Sequence, residues 1–197
     1  MVGATVGAGN ESEQAAEQTG RPAPERGGPA SLEPADRLSL RRQVGQLTIS
    51  SFPDPTVPGY VRRRLRARET AGVILFGLNA GTRSQWRRLT RSVQRSGRGE
   101  ALVLVDQEGG EVRTVSWAGP VASQLQQGEP SAVRRTAHEA ARQLRGAGVN
   151  VNLAPVADVP GGAAPALGSR VFAGDARAIA AVRAEGGWRK RASSYPV

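Results

Sequence analysis

Three carboxylates and two glycines stand together in the segment VDQEGGEVR: Asp106, Glu108, Glu111, Gly109 and Gly110. An aspartate at the end of a strand can accept charge-assisted hydrogen bonds from two neighbouring hydroxyl groups. The glycines can adopt positive φ and let a ligand approach the backbone. The same residues would also fit an acidic turn in which a carboxylate caps a helix. The segment alone is therefore compatible with a hydroxyl-binding loop and with a structural turn.

Composition excludes several other kinds of chemistry. The chain has no cysteine, which rules out disulfides, thiolate metal sites and cysteine nucleophiles but leaves the redox compartment open. His138 is the single histidine, and it lies about 110° from the apolar stripe of its helix at 100° per residue. We therefore predict that His138 is a solvated helix residue and takes no part in catalysis.

The acidic loop must be positioned by the apolar runs and periodic segments that alternate along the chain. Short runs rich in β-branched or apolar residues and bounded by Pro or Gly are typical of strands. We predict strands at residues 46–52, 72–76, 101–105 and 149–156. Helical spacing of apolar residues predicts helices at 39–44, 57–65, 86–93 and 133–144, and a final helix near 175–184.

Repeated strand and helix units indicate an α/β fold with a parallel sheet and helical crossovers. Periodicity does not distinguish a doubly wound open sheet from a (β/α) barrel. Both place ligands at the carboxyl ends of the strands. The loops after Val105 and Val156 are therefore the predicted location of the functional site.

The formal charge of +10 raises the hypothesis of nucleic-acid binding. Lys190 is the only lysine among the 27 basic residues, and the arginines are spread through every predicted helix. In the second helix, Arg62, Arg63, Arg64 and Arg66 lie between the apolar positions, so they should form a solvated face. Nucleic acid is therefore not a favoured partner.

Residues 1–31 contain no Leu, Ile, Phe, Tyr or Trp, so they cannot bury enough apolar surface to offset the entropy of ordering. We predict a disordered arm at residues 1–37. The first basic residue is Arg21, and no run reaches the ~20 apolar residues of a membrane span, so we expect neither a signal peptide nor a membrane segment. The default expectation for location is cytoplasmic.

Three segments in a fixed order carry a family resemblance: GVILFG at 72–77, LVLVDQEGG at 102–110 and GVNVNLAPVADV at 148–159. Together with the opening LSLRRQVGQL, they resemble the amino-terminal domain of family 3 glycoside hydrolases, especially the bacterial β-N-acetylhexosaminidase branch. The resemblance extends over about residues 38–175.

The resemblance implies a (β/α)₈ barrel that removes a terminal β-linked sugar with retention and needs neither metal nor cofactor. Asp106 matches the family aspartate that binds sugar hydroxyls. Arg170, in LGSRVFAGD, matches a family arginine that holds the sugar, and its planar fork of donors suits vicinal hydroxyls or a carbonyl oxygen. Asp158 matches a structural residue of the loop after the fourth strand.

The departures from the family concern the sugar and catalysis. Where the hexosaminidase branch commonly has Arg-Val-Gln-Arg, this sequence has Glu111, Val112, Arg113 and Thr114, which leaves the exact sugar open. The family's Lys-His-Phe-Pro-Gly motif, acid/base loop and nucleophilic aspartate are absent. The 197 residues are fewer than the ~250 of a complete barrel.

We therefore predict a partial barrel of about four βα units at residues 38–184 and no catalytic residue in this chain. Residues 185–197 are expected to form an irregular tail, for which a frameshift is the hypothesis. The alternative is a non-catalytic carbohydrate-binding or regulatory half-barrel that pairs with another chain. In either case two open sheet edges favour self-association.

Overall fold

The predicted apolar runs form one parallel sheet in the computed structural model, which describes residues 34–159, 167–174, 177 and 180. The described strands are β1 (Ile49–Ser50), β2 (Gly72–Ile74), β3 (Leu102–Val105), β4 (Gln107–Gly109), β5 (Val112–Arg113) and β6 (Val151–Asn152). The described α-helices are α1 (Leu40–Gln46), α2 (Gly59–Ala67), α3 (Arg83–Ser96) and α4 (Pro130–Ala147).

The sheet has the order β1-β2-β3-β6, and all three pairings are parallel. Gly72 of β2 is aligned with Ile49 on one side and with Leu102 on the other, while Leu104 is aligned with Val151. Helices connect the successive strands of this sheet, so the prediction of an α/β fold built from βα units is confirmed. Within the described part of the chain, β1 and β6 are the edges of the sheet.

The helices contribute their apolar faces to the core. Trp86, Leu89, Thr90 and Val93 of α3 are all buried, as their spacing predicts. The α3 N-terminus is closed by a capping box between Thr82 and Gln85, which satisfies backbone N–H groups that have no partner within the helix. The main core also contains the buried side chains of Phe52, Val57, Val61, Leu65, Val73, Leu75, Val103, Val105, Leu144 and Val149.

Two asparagines extend the pairing between β3 and the β6 strand region. The Asn150 side chain accepts a hydrogen bond from the Val103 N–H at 2.7 Å and donates one to the Ala101 carbonyl at 3.0 Å. Asn152 accepts from the Gln107 N–H at 3.0 Å and donates to the Gln107 carbonyl at 3.2 Å. The VNVN sequence therefore positions the segment that leads out of β3.

The strands are shorter than predicted. Residues 46–52 were expected to form one strand, but Gln46 ends α1, and the Leu47 and Thr48 N–H groups donate to carbonyls of the preceding turn. Of residues 149–156, only Val151–Asn152 pairs as a strand, although the Leu153 N–H still donates to the Val105 carbonyl. Apolar composition marks a buried segment, whereas strand length depends on where a neighbour supplies backbone partners.

Several smaller expectations are corrected. Ser39 stands at the N-cap of α1, but its side chain makes no capping hydrogen bond. Tyr60 and Ala141, which fit the apolar stripes of their helices by spacing, are exposed. The predicted solvated face of α2 is confirmed, since Arg62, Arg63, Arg64 and Arg66 are all exposed.

Most of the residues at both ends of the sequence lie outside the described ranges. Pro34–Arg37, the last four residues of the predicted arm, form one turn of 3₁₀-helix. Residues 1–33, most of the helix predicted near 175–184, and the tail at 185–197 lie outside the described residues. Among the described residues, no helix is both long and apolar enough to cross a bilayer.

Candidate functional site

The segment that follows β3 is a small antiparallel hairpin, β4–β5, rather than the irregular loop expected from its glycines and charges. Gln107 fixes its shape from inside. The Gln107 Nε2 donates to the carbonyl oxygens of Val115, Ala118 and Gly119, and its Oε1 accepts from the Val115 N–H at 2.8 Å. Because Gln107 is only 1% exposed, its amide satisfies backbone groups that would otherwise be buried without partners.

The two glycines have the positive φ that was predicted, +106° at Gly109 and +60° at Gly110. In the direction in which a side chain would project from these glycines, the chain itself occupies the space. A Cβ on Gly109 would lie 2.1 Å from the Ala122 carbonyl oxygen, and one on Gly110 would lie 2.7 Å from the Ser123 Cβ. The glycines therefore pack the hairpin against residues 122–123.

Arg170 and Glu108 form a bidentate ion pair. The Arg170 Nε donates to Glu108 Oε2 at 2.9 Å, and Nη2 donates to Oε1 at 2.7 Å. The Glu108 side chain is 3% exposed and the Arg170 side chain 38%. Hydrogen bonding to Glu108 raises the pKa of Arg170 above its usual range, so the guanidinium stays charged.

Asp106 lies at the carboxyl end of β3, beside this ion pair. Its side chain is partly buried, and no hydrogen bond to its carboxylate occurs within the described ranges. Burial raises the pKa of Asp106 above the ordinary value for aspartate, and the nearby Glu108 charge raises it further, while Arg170 lowers it. The structure thus brings the two residues predicted to bind sugar, Asp106 and Arg170, into one electrostatic cluster.

The turn that carries Arg170 is anchored by its neighbours. Arg170 ends a 3₁₀ turn at Gly168–Arg170, and the next two residues, Val171 and Phe172, are buried. Phe172 packs against Val133 of α4. The Arg170 turn is therefore held in place by an apolar contact with a residue that is distant in sequence.

Buried or partly buried amide side chains, two glutamines and one asparagine, connect further loops of the structure. The Gln124 amide bonds the Val156 N–H and carbonyl, both at 2.8 Å. The Gln127 Nε2 donates to the Glu108 carbonyl at 3.2 Å. Asn79, 1% exposed, donates from Nδ2 to the carbonyls of Phe52 and Asp54, which links the loops after β1 and β2. Sequence reasoning missed these amides because nothing in a local pattern distinguishes a buried glutamine from a solvated one.

The other residues singled out in the sequence lie outside the cluster or at its margin. Glu111 is exposed in the hairpin turn, and His138 is exposed on α4, as predicted. Asp158 is exposed, close enough to Arg170 to favour its charged form. Within the described ranges, no hydrogen bond is donated to the Asp158 carboxylate that would tie its loop. The described residues contain no group of three side chains able to hold a metal ion.

Comparison with known proteins places this chain in a family. The model of the glycosyl hydrolase family 3 N-terminal domain matches residues 39–185. The chain therefore belongs to this family, and the partial barrel is the first part of that domain.

Individual relatives agree with this assignment. A β-hexosaminidase of Bordetella pertussis is 36% identical over 129 aligned residues, covering 60% of this chain and 37% of the relative. The solved family 3 β-N-acetylglucosaminidase of Paenibacillus sp. is 27% identical with a TM-score of 0.67, covering 76% of this chain and 30% of that one. Native NagZ from Neisseria gonorrhoeae, at 21% identity and a TM-score of 0.63, has the same fold over 71% of this chain and 44% of its own. This chain thus spans well under half of the length of each.

Proposed function

We propose that this chain is the sugar-binding portion of a β-N-acetylhexosaminidase-like, retaining glycoside hydrolase, and that it binds a terminal β-linked sugar without hydrolysing it. The observation that carries the proposal is the cluster that Asp106, at the carboxyl end of β3, forms with the Glu108–Arg170 ion pair. This is where ligands bind in barrels of this kind.

The Asp106 carboxylate is suited to accept hydrogen bonds from sugar hydroxyls. It accepts no hydrogen bond from the described residues, and it is only partly buried. Its charged form is disfavoured by burial and by Glu108, which both raise the pKa of Asp106. Two hydroxyl donors would compensate for that cost, because hydrogen bonds to an ionised acceptor stabilise the ionised form.

The same geometry argues against hydrolysis by these residues. A retaining glycosidase needs a nucleophile and an acid/base, about 5–5.5 Å apart when both are carboxyls. Glu108 has both oxygens bonded to Arg170 and is almost fully buried, so it cannot attack a sugar carbon or deliver a proton. Glu108 therefore cannot serve as the second carboxylate beside Asp106.

The alternative of a non-catalytic half-barrel that works with another chain is less well supported. A relative named β-hexosaminidase aligns with this chain over 129 residues, and no observation in the described residues favours a separate binding protein. Both hypotheses have carbohydrate as the ligand. We favour the hypothesis that this chain is part of a glycoside hydrolase.

Titration with N-acetylglucosamine, followed by NMR or calorimetry, tests the proposal. We expect weak binding, in the roughly millimolar range, that is lost in Asp106→Ala and in Arg170→Ala. Glu111→Ala is the matched control, because Glu111 is an exposed carboxylate of the same hairpin. Equal binding by the wild-type chain and by Asp106→Ala would contradict the assignment of the site.

A further inference from the structure

The Glu108–Arg170 ion pair has a buried half and an accessible half. The carboxylate is 3% exposed and the guanidinium side chain 38%. Glu108 comes from the hairpin that Gln107 fixes from inside, and Arg170 comes from the turn anchored by Phe172. The carboxylate is therefore a fixed support, and the guanidinium is the part that a ligand can reach.

The pairing also decides which donors of Arg170 remain available. Glu108 takes the edge formed by Nε and Nη2. A guanidinium has five N–H donors in one plane, so two on Nη1 and one on Nη2 are left. We find no further hydrogen bond from the Arg170 guanidinium within residues 34–159 and 167–174. The opposite edge thus presents two parallel N–H bonds, a geometry that matches two adjacent oxygens.

The charges around this edge are unequal. Arg170 is one cation, and the carboxylates of Glu108, Asp106 and Asp158 all act on it electrostatically. With these groups ionised, the cluster carries an excess of negative charge. A neutral ligand can use the free N–H edge, whereas an anionic ligand meets a cation whose charge Glu108 already neutralises, with carboxylates beside it.

We infer that Glu108 is a positioning and specificity-determining residue, which orients the free edge of Arg170 toward vicinal oxygens and makes the site select neutral sugars over anionic ones. This inference rests on the proposed function, since it concerns the same ligand site. It extends the proposed function in two ways. It assigns a role to Glu108, which is not proposed to contact the ligand, and it specifies that the ligand is neutral.

The experiment compares two probes on the full chain: N-acetylglucosamine and N-acetylglucosamine 6-phosphate. The variants are Glu108→Gln, which keeps the side-chain shape and removes the charge, and Glu108→Asp, which keeps the charge and shortens the side chain. Glu111→Gln is the control for removing a carboxylate from the same hairpin. The Arg170 Nε–H signal in the ¹H–¹⁵N spectrum, assigned with Arg170→Lys, reports the orientation of the guanidinium without any ligand.

We expect the wild-type chain to prefer the neutral sugar by about tenfold or more, a difference typical of one charged contact. Glu108→Gln should reduce that preference at least about fivefold and broaden the Arg170 Nε–H signal through faster exchange with water. Glu108→Asp should bind the neutral sugar more weakly yet still discriminate against the phosphate. Glu111→Gln should match the wild type in every measurement.

An unchanged preference and an unchanged Nε–H signal in Glu108→Gln would overturn the inference. If the wild-type chain binds neither sugar, the proposed function fails, while the Nε–H signal still decides whether Glu108 orients Arg170. If Glu108→Gln does not fold, Glu108→Asp decides, because retained discrimination supports the role of the charge and lost discrimination contradicts it.

Discussion

Arg170 and Glu108, 62 residues apart in sequence, are joined by two hydrogen bonds of 2.9 and 2.7 Å. This pair brings the turn at Gly168–Arg170 to the end of β3, where Asp106 lies. It also neutralises a carboxylate that would otherwise be buried as an isolated charge, an arrangement that costs several kcal/mol. The candidate sugar site is thus supported by a contact between strand β4 of the hairpin and the turn at Gly168–Arg170.

The first prediction concerns hydrolysis. Because Glu108 is committed to Arg170 and the family's catalytic motifs are absent from the 197 residues, the purified chain should not cleave p-nitrophenyl β-N-acetylglucosaminide above an uncatalysed control. Release of p-nitrophenol is followed by absorbance. Turnover that persists through purification and disappears in Asp106→Ala would show that this chain contains its own catalytic residues.

The second prediction concerns the pH dependence of sugar binding. In the proposed complex the carboxylate form of Asp106 accepts the hydrogen bonds of the sugar. Burial, followed by the Glu108 charge, raises the pKa of Asp106 above that of ordinary aspartate. Affinity for N-acetylglucosamine should therefore decrease as the pH falls through this raised pKa. The loss should occur at a higher pH than it would for an unperturbed aspartate. Calorimetric titrations at several pH values measure the effect. Asp106→Asn should bind weakly at every pH, and a pH profile shared by both proteins would contradict the assignment.

The third prediction concerns stability. A carboxyl whose pKa is raised by folding binds more protons in the native state, so its ionisation destabilises the fold as the pH rises through that pKa. Asp106→Asn should therefore have a higher melting temperature than the wild type at neutral pH, and the difference should shrink on acidification. Thermal unfolding followed by circular dichroism provides the comparison. A lower melting temperature at neutral pH would show that Asp106 has a stabilising partner in the native state.

The fourth prediction concerns Gly109. A Cβ here would lie 2.1 Å from the Ala122 carbonyl oxygen at a φ of +106°, so Gly109→Ala combines backbone strain of about 1–3 kcal/mol with a clash of about 1–3 kcal/mol. Gly128→Ala is the matched control, with a positive φ but no atom within 4 Å, and should cost only about 1–2 kcal/mol. Denaturant unfolding measures both, and equal losses would contradict the packing of the hairpin.

The fifth prediction concerns self-association. Within the described residues β1 and β6 are both sheet edges, and unpaired edges provide backbone groups that can pair with another chain. We expect the purified chain to be dimeric or aggregated when measured by size-exclusion chromatography with light scattering. A monodisperse monomer of 20.6 kDa with a sharp thermal transition would mean that these edges are covered.

Much of the fold could be predicted from the sequence because apolar patterning is local. The buried face of α3 follows from the spacing of Trp86, Leu89 and Val93, and the inner strand β3 follows from its uninterrupted apolar run. Edge strands were less predictable. Among the described residues, β1 pairs with β2 alone. Its paired length is therefore set by that contact and not by its own composition.

The sequence alone determined the family, the order of strands and helices, and the candidate residues Asp106 and Arg170, because these depend on motifs and on periodicity. Tertiary structure alone decided that Glu108 pairs with Arg170, that Gly109 packs against the chain and that Gln107 is buried. The physical reason is that polar side chains are buried only where distant segments provide their partners. A sequence pattern shows which polar groups the chain contains, whereas the fold determines which of them lie close enough to form hydrogen bonds or ion pairs.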